Sequence, residues 1–91
     1  MREVERHPDA VDATVENELV VMNVQSLDYF RFNEVAKAIW DLLAMGSRTE
    51  DSICQALLAE YDVAEDECRT SVSEFIDDAI ARDFVRVVTT S

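Results

Sequence analysis

Few residues in this chain combine type and spacing in a way that could do chemistry. The one histidine, His7, stands beside Pro8, so a histidine-based triad or a multi-histidine metal site is excluded by count. Cys54 and Cys68 form no CxxC pair. Each falls on the apolar side of a predicted helix, where a free thiol behaves as a small hydrophobe. The acidic runs Glu65-Asp66-Glu67 and Asp77-Asp78 lack the alternating oxygen ligands and central glycine of a calcium loop, and read as solvated helix faces. A single glycine leaves no Gly-rich phosphate loop. Ser52, in Asp51-Ser52-Ile53, is the remaining candidate: a hydroxyl in the first turn of a predicted helix, able to accept a covalent group. The inventory predicts no catalysis, no metal and no resident cofactor.

Charge narrows the partners. Twenty acidic against eight basic residues give a net charge of −12, which repels phosphate backbones and anionic membranes. A basic or neutral partner is therefore expected, and neither nucleic acid nor membrane. No apolar targeting segment and no run long enough to span a bilayer stands in the sequence, so a cytoplasmic location is expected.

The elements that must position these residues follow from periodicity. Residues 1–9 are charged and contain the one proline, which predicts a flexible N-terminal arm ahead of a single domain over 10–88. Val11–Val15, Leu19–Val24 and Leu27–Phe32 read as three strands, the first two joined by a turn at Glu16-Asn17-Glu18. In the third, Asp28, Phe30 and Phe32 point one way and Leu27, Tyr29 and Arg31 the other. Both of its faces carry apolar side chains.

At Asn33 the period changes. Asn33 caps a first helix with Val35, Ala36, Ile39, Trp40, Leu42 and Leu43 at helical spacing, and Gly46 stops it. Ser47–Glu50 fits a capping box for a second helix, with Thr49 as a rival cap. The third helix runs from Glu65 to Arg82, its apolar stripe Cys68, Val72, Phe75, Ile76, Ala79 and Ile80, and Phe84–Val88 is a β-prone tail. The order β-β-β-α-α-α predicts an α+β, winged-helix-like domain with a three-stranded antiparallel N-terminal sheet.

Two resemblances bear on function. Asp51-Ser52-Ile53 resembles the Asp-Ser-Leu of acyl and peptidyl carrier proteins, whose serine holds phosphopantetheine. The valine- and aromatic-rich N-terminal third argues against such a helical bundle. A longer stretch, "YFRFNEVAKAIWDLL" (Tyr29 to Leu43) followed by Gly46 and Thr49, resembles the PqqD-like family. Its matching positions are Phe30, Phe32, Asn33, Ala36, Ile39, Trp40, Leu42, Leu43, Gly46 and Thr49. The likeness continues through "LLAEYDV" and "IARDFV", covering residues 11–88. Phe32, Ile80 and Asp83 depart from the family's usual Leu, Leu and Gly.

That resemblance implies a stand-alone recognition element of ribosomal peptide maturation, as in lasso-peptide or pyrroloquinoline quinone biosynthesis. Such a protein binds the leader of a precursor peptide as an added strand and serves a partner enzyme such as a leader peptidase. The strand would dock on the third predicted strand, at Leu27, Asp28, Tyr29, Phe30 and Arg31. Opposite it on the third helix stand Arg69, Val72, Ser73, Ile76 and Asp77, with Val72 and Ile76 as apolar pockets and Asp77 and Asp78 at the rim.

Overall fold

In the computed structural model, which describes residues 2–88, the valine- and aromatic-rich N-terminal third forms the three strands expected of it, with their ends shifted. Strands β2 (Ala10–Val15), β3 (Glu18–Asn23) and β4 (Tyr29–Phe32) make one antiparallel sheet in the order β2-β3-β4. The β2–β3 turn places Glu16 and Asn17 both at positive φ, 52° and 70°, the mirror-image turn whose twist suits a two-residue hairpin. Leu19, Val21 and Phe32 point from this sheet into the core. Its other face keeps Val11, Val15 and Tyr29 exposed, so apolar content on both faces is real.

A strand forms where a flexible arm was expected. Residues Glu3–Arg6 are β1, paired on one side with β5 (Arg48–Thr49) and on the other with β6 (Val85–Val87), in a second three-stranded sheet. The reason is alternation too short to read from sequence: Val4 points inward and is fully buried, Arg6 shares its face and reaches Trp40, and Glu3 and Glu5 face outward. Ion pairs then fasten the arm. Arg2 reaches Glu50 at 2.9 Å and Asp77 at 2.6 Å, and Arg86 reaches Glu5 at 2.6 Å. The predicted α+β class holds, with its strands divided between two sheets.

The three helices follow in the expected order. Helix α1 (Glu34–Leu42) is capped by Asn33, whose side chain accepts the Ala36 N–H, and runs into a 3-10 turn at Leu43–Met45 before Gly46. Helix α2 (Glu50–Glu60) is capped by Thr49 and not by Ser47, because Arg48 and Thr49 are drawn into the second sheet and Thr49 Oγ1 accepts the Ser52 N–H. Helix α3 (Glu65–Ala81) ends where Asp83 takes φ 58°. There the Phe84 N–H donates to the Ala79 carbonyl and the Asp83 N–H to the Ile80 carbonyl, the paired closure of a left-handed stop. Asp83 thus stands where the left-handed conformation favours glycine.

The core joins both sheets and all three helices around Trp40, Phe84, Ile39, Ile53 and Ile76. Phe32 is its aromatic hub, edge-on to Trp40, Phe75 and Phe84 at centroid distances of 5.8, 5.4 and 6.0 Å.

Candidate functional site

Among the described residues, strand β4 has a neighbour on one side only. Its pairing with β3 opposes Leu19 to Phe32, Val20 to Arg31, Val21 to Phe30 and Met22 to Tyr29. The Asn23 N–H donates to the Asp28 carbonyl at 2.9 Å, which sets the phase of the ladder. Antiparallel pairs alternate between hydrogen-bonded and not, so Phe30 and Phe32 bond to β3 and the N–H and C=O groups of Tyr29 and Arg31 line the free edge. Four backbone groups there are open to another strand.

The strand is shorter than the sequence suggested. Leu27 lies outside it, in a turn at φ 62°, its N–H donating to the Asn23 carbonyl. Asn23 builds that turn: buried, it accepts the Gln25 and Ser26 N–H groups through Oδ1 and donates to the Asp83 carbonyl through Nδ2. The edge therefore starts at a braced corner, with Leu27 exposed on its tip.

Beside the edge, Phe30 turns toward α3 and stays 46% exposed. The Arg82 guanidinium lies 4.8 Å from its ring centroid and donates to Asp28 at 3.3 Å and to Asp78 at 3.2 Å. Further along, Phe75 packs on Phe32. Phe75, Asp78 and Arg82 recur at three- and four-residue spacing, so they form one flank of α3. That flank lies beside β4, and the open surface between it and the β4 edge is the candidate groove.

The helix residues expected from sequence fall elsewhere. Val72 and Ile76 are each only 1% exposed and sit in the core beneath the groove, as the centre of the apolar stripe. Arg69 donates to Asp51 at 2.8 Å and to Glu65 at 3.2 Å, and these bonds hold its charge firmly. Asp77 pairs with Arg2. Ser73 lies four residues from each of them, on the same flank. Arg69, Ser73 and Asp77 thus face α2 and β1, away from β4. Among the strand residues, Asp28, Tyr29, Phe30 and Arg31 do come together at the edge, Arg31 bonded to Glu18 at 3.1 Å on the outer face. Phe75 and Arg82 were not expected there. A helical wheel centred on Val72 and Ala79 separates the two flanks, but it does not say which one meets the strand.

The remaining candidates have structural partners. Ser52 Oγ is 3.1 Å from Arg48 Nη1, half-buried. The two sheets overturn the four-helix bundle that the carrier reading of Ser52 required. Cys54 and Cys68 are buried free thiols, and burial pushes the Cys54 pKa up, away from the reactive thiolate. His7 Nδ1 accepts the Asp9 N–H at 3.0 Å. Among the described residues no group of three or more His, Cys, Asp or Glu side chains could hold a metal ion. No helix there is long and apolar enough to cross a membrane.

Comparison with known proteins bears on the fold and the family. Two solved structures share the fold. One, "TbiB1 in Complex with the TbiA(beta) Leader Peptide", superposes with a TM-score of 0.82 at 23% identity, covering 94% of this chain and 99% of that one. The other, "Lasso peptide synthetase B1 complexed with the leader peptide", does so at 0.78 and 18%, covering 91% and 96%. No curated protein matches the sequence. The model of the family described as coenzyme PQQ synthesis protein D matches residues 18–85, which include β3, the β4 edge and all three helices. The chain belongs to the PqqD family.

Proposed function

We propose that this chain is a non-catalytic recognition module that binds the leader of a ribosomally made precursor peptide as a strand on β4 and presents it to a partner maturation enzyme, such as a leader peptidase. One observation carries the reading: the β4 edge leaves the backbone groups of Tyr29 and Arg31 without a strand partner among the described residues, beside an exposed Phe30 and the Phe75–Asp78–Arg82 flank of α3. An extended peptide satisfies such an edge by β-augmentation, and its alternate side chains fall on the groove wall, where selectivity arises. Two proteins of like fold carry leader peptides in their structures' names, which supports the same use here.

In this reading Tyr29 and Arg31 supply main-chain bonds, Phe30 and Phe75 supply apolar contact, and Asp28, Asp78 and Arg82 supply charge at one end. Leu27 stands at the entrance. Val72 and Ile76 support the groove from below, while Arg69, Ser73 and Asp77 lie outside it. The module works in the cytoplasm, where precursor peptides are made, and its charge of −12 favours a leader or enzyme surface carrying Lys and Arg.

The test is amide hydrogen exchange with and without a leader peptide taken from a precursor encoded beside this chain. Protection should rise on residues 29–32 and along 71–82, with little change on 53–61. Protection of 53–61 with β4 unchanged would sink the strand-addition reading. The peptide's mass should stay constant on incubation with the purified chain alone.

A further inference from the structure

At the far side of the same sheet, β2 has a free edge of a different character from that of β4. The two-residue turn at Glu16-Asn17 makes Val15 and Glu18 the hydrogen-bonded closing pair of the hairpin, so Val11, Ala13 and Val15 bond to β3. The Val24 N–H donates to the Asp9 carbonyl at 2.9 Å and keeps the same phase beyond the strand. The N–H and C=O groups of Asp12 and Thr14 therefore point away from β3, and no strand meets them among the described residues. Proteins guard such edges with Lys, Pro, bulges or shortness. Here β5 has two residues, β6 has three with Arg86 at its centre, and β4 has four with Arg31 among them. Strand β2 has six, in unbroken register with β3 and without Lys, Arg, Pro or Gly. Its single charge is turned aside: Asp12 accepts the Trp40 indole N–H at 2.6 Å and lies 3.5 Å from Arg6. On the outer face Val11 and Val15 are exposed by 46 and 52%, and Ala13 is exposed between them.

We infer that β2 pairs antiparallel with β2 of a second copy of this chain, about a twofold axis at Ala13. Self-complementarity selects that occupant, because a twofold contact uses the same surface on both copies. With the axis at Ala13, Asp12 faces Thr14 of the second copy and Thr14 faces its Asp12, each pair exchanging both main-chain hydrogen bonds. On the outer face Val11 meets Val15 and Ala13 meets its own counterpart, small and β-branched pairs that suit a sheet surface. Acidic residues avoid one another: Glu16 falls opposite Ala10, and Asp9 opposite Asn17. Moving the axis by one residue either way would oppose Asp12 to itself or to Glu16. The product is one continuous sheet, β4-β3-β2-β2-β3-β4, with a β4 edge at each end. Pairing and leader binding use different edges, so neither depends on the other. A single strand from each copy buries less than the about 1,200–2,000 Å² of stable complexes, so the dimer is weak and reversible. A charge of −12 on each copy opposes it, and salt relieves that repulsion.

The experiment is sedimentation equilibrium of the full chain over a concentration series at low and high salt. A reversible monomer–dimer step that tightens as salt is added is expected. Ala13→Glu sets two carboxylates face to face at the axis and should weaken association by about tenfold or more, with thermal unfolding unchanged because the site is exposed. Tyr29→Pro, at the opposite edge of the sheet, should leave association as it is. Ala13→Cys should yield a cross-linked dimer on equilibration with oxidised glutathione, since residues facing each other in a non-bonded antiparallel pair have Cα atoms about 4.5 Å apart, within disulfide range. Val15→Cys should not, because Val15 faces Val11 and not its own counterpart. A chain that stays monomeric at every concentration and gives no cross-link at Ala13→Cys would overturn the inference. A dimer dissolved by Tyr29→Pro and untouched by Ala13→Glu would overturn it too, by assigning the contact to β4. Association that weakens with salt would point to ion pairs between the copies and would sink the strand pairing.

Discussion

The indole of Trp40 is 1% exposed and still has its donor satisfied, Nε1 giving a 2.6 Å hydrogen bond to Asp12 Oδ2 of β2. Arg6 of β1 lies 4.1 Å from its ring centroid and donates to its backbone carbonyl at 2.6 Å. One side chain of α1 thus ties both sheets to the helices. Trp40→Ala should cost about 3–5 kcal/mol, the range for large aromatic truncations in cores, out of a total of about 5–15 kcal/mol for a domain. Trp40→Phe keeps most of the buried area and loses the bond to Asp12, so about 1 kcal/mol is expected. Denaturant unfolding of the two variants checks both values. A folded Trp40→Ala that loses only peptide binding would place the indole in the groove instead. Asp83 presents the opposite case. Held at φ 58° by the helix stop, it gains nothing from its Cβ, and Asp83→Gly should raise stability by about 0.5–1 kcal/mol if relief of left-handed strain exceeds the entropy that glycine adds to the unfolded chain. A fall in stability would show that the Asp83 side chain does more than fill the position.

Strand β4 is an element of four residues with two different backbone roles. The Phe30 N–H belongs to the ladder with β3, and the Tyr29 N–H faces the free edge. Proline removes one donor and little else at an edge position, but breaks the ladder at an inward one. Phe30→Pro should therefore destabilise the fold by about 1–3 kcal/mol, the cost of leaving a buried acceptor unpaired. Tyr29→Pro should leave the fold close to wild type and weaken leader binding at least tenfold. Thermal unfolding and fluorescence anisotropy with a labelled leader separate the two outcomes, and the reverse pattern would mean that the ladder phase is shifted by one residue. The same logic of alternate faces governs α3. Arg82→Ala acts on the groove, whereas Asp77→Asn acts on the contact with Arg2.

At the scale of the whole molecule, the second sheet fastens the N-terminus to parts of the chain far from it in sequence. Arg2 binds Glu50 in the first turn of α2, and the Glu50 N–H donates to the Arg2 carbonyl at 2.9 Å. The hydrogen bond from Arg2 holds the Glu50 carboxyl below its ordinary pKa of 4.5. A folded-state pKa lowered in this way adds stability that is present above the ordinary value and is lost as pH falls through the lowered one. Glu50→Gln should therefore lower stability at neutral pH by about 0.2–1 kcal/mol, as a partly exposed pair does, and make its decline below the ordinary carboxylate range shallower. Chemical denaturation across an acid series checks the sign. An unchanged acid limb would show that other carboxylates dominate. Deleting residues 2–6 should do far more, since it removes the buried Val4 and leaves β5 and β6 without the strand between them.

Local chemistry was enough to place most elements. The switch from period two to helical spacing at Asn33, the Asn33 cap, the stripe through Ile39, Trp40 and Leu43 and the turn at Glu16-Asn17 all act over a few residues, and all are found. The strand carrying Tyr29, Phe30 and Arg31 was legible for the same reason. Three things depended on contacts between distant parts of the chain. Val4 is apolar in a charged stretch, and only the arrival of β5 and β6 makes that stretch a strand. Leu27 reads as strand by type, but the buried Asn23 and its bond to the Asp83 carbonyl force it into a left-handed turn. The apolar stripe of α3 gives its buried centre, Val72 and Ala79, and two flanks of equal standing. Which flank faces β4 is set by how the helix packs across the sheet, through Phe32 on Phe75 and Arg82 on Asp28, a choice that no periodicity within the helix encodes.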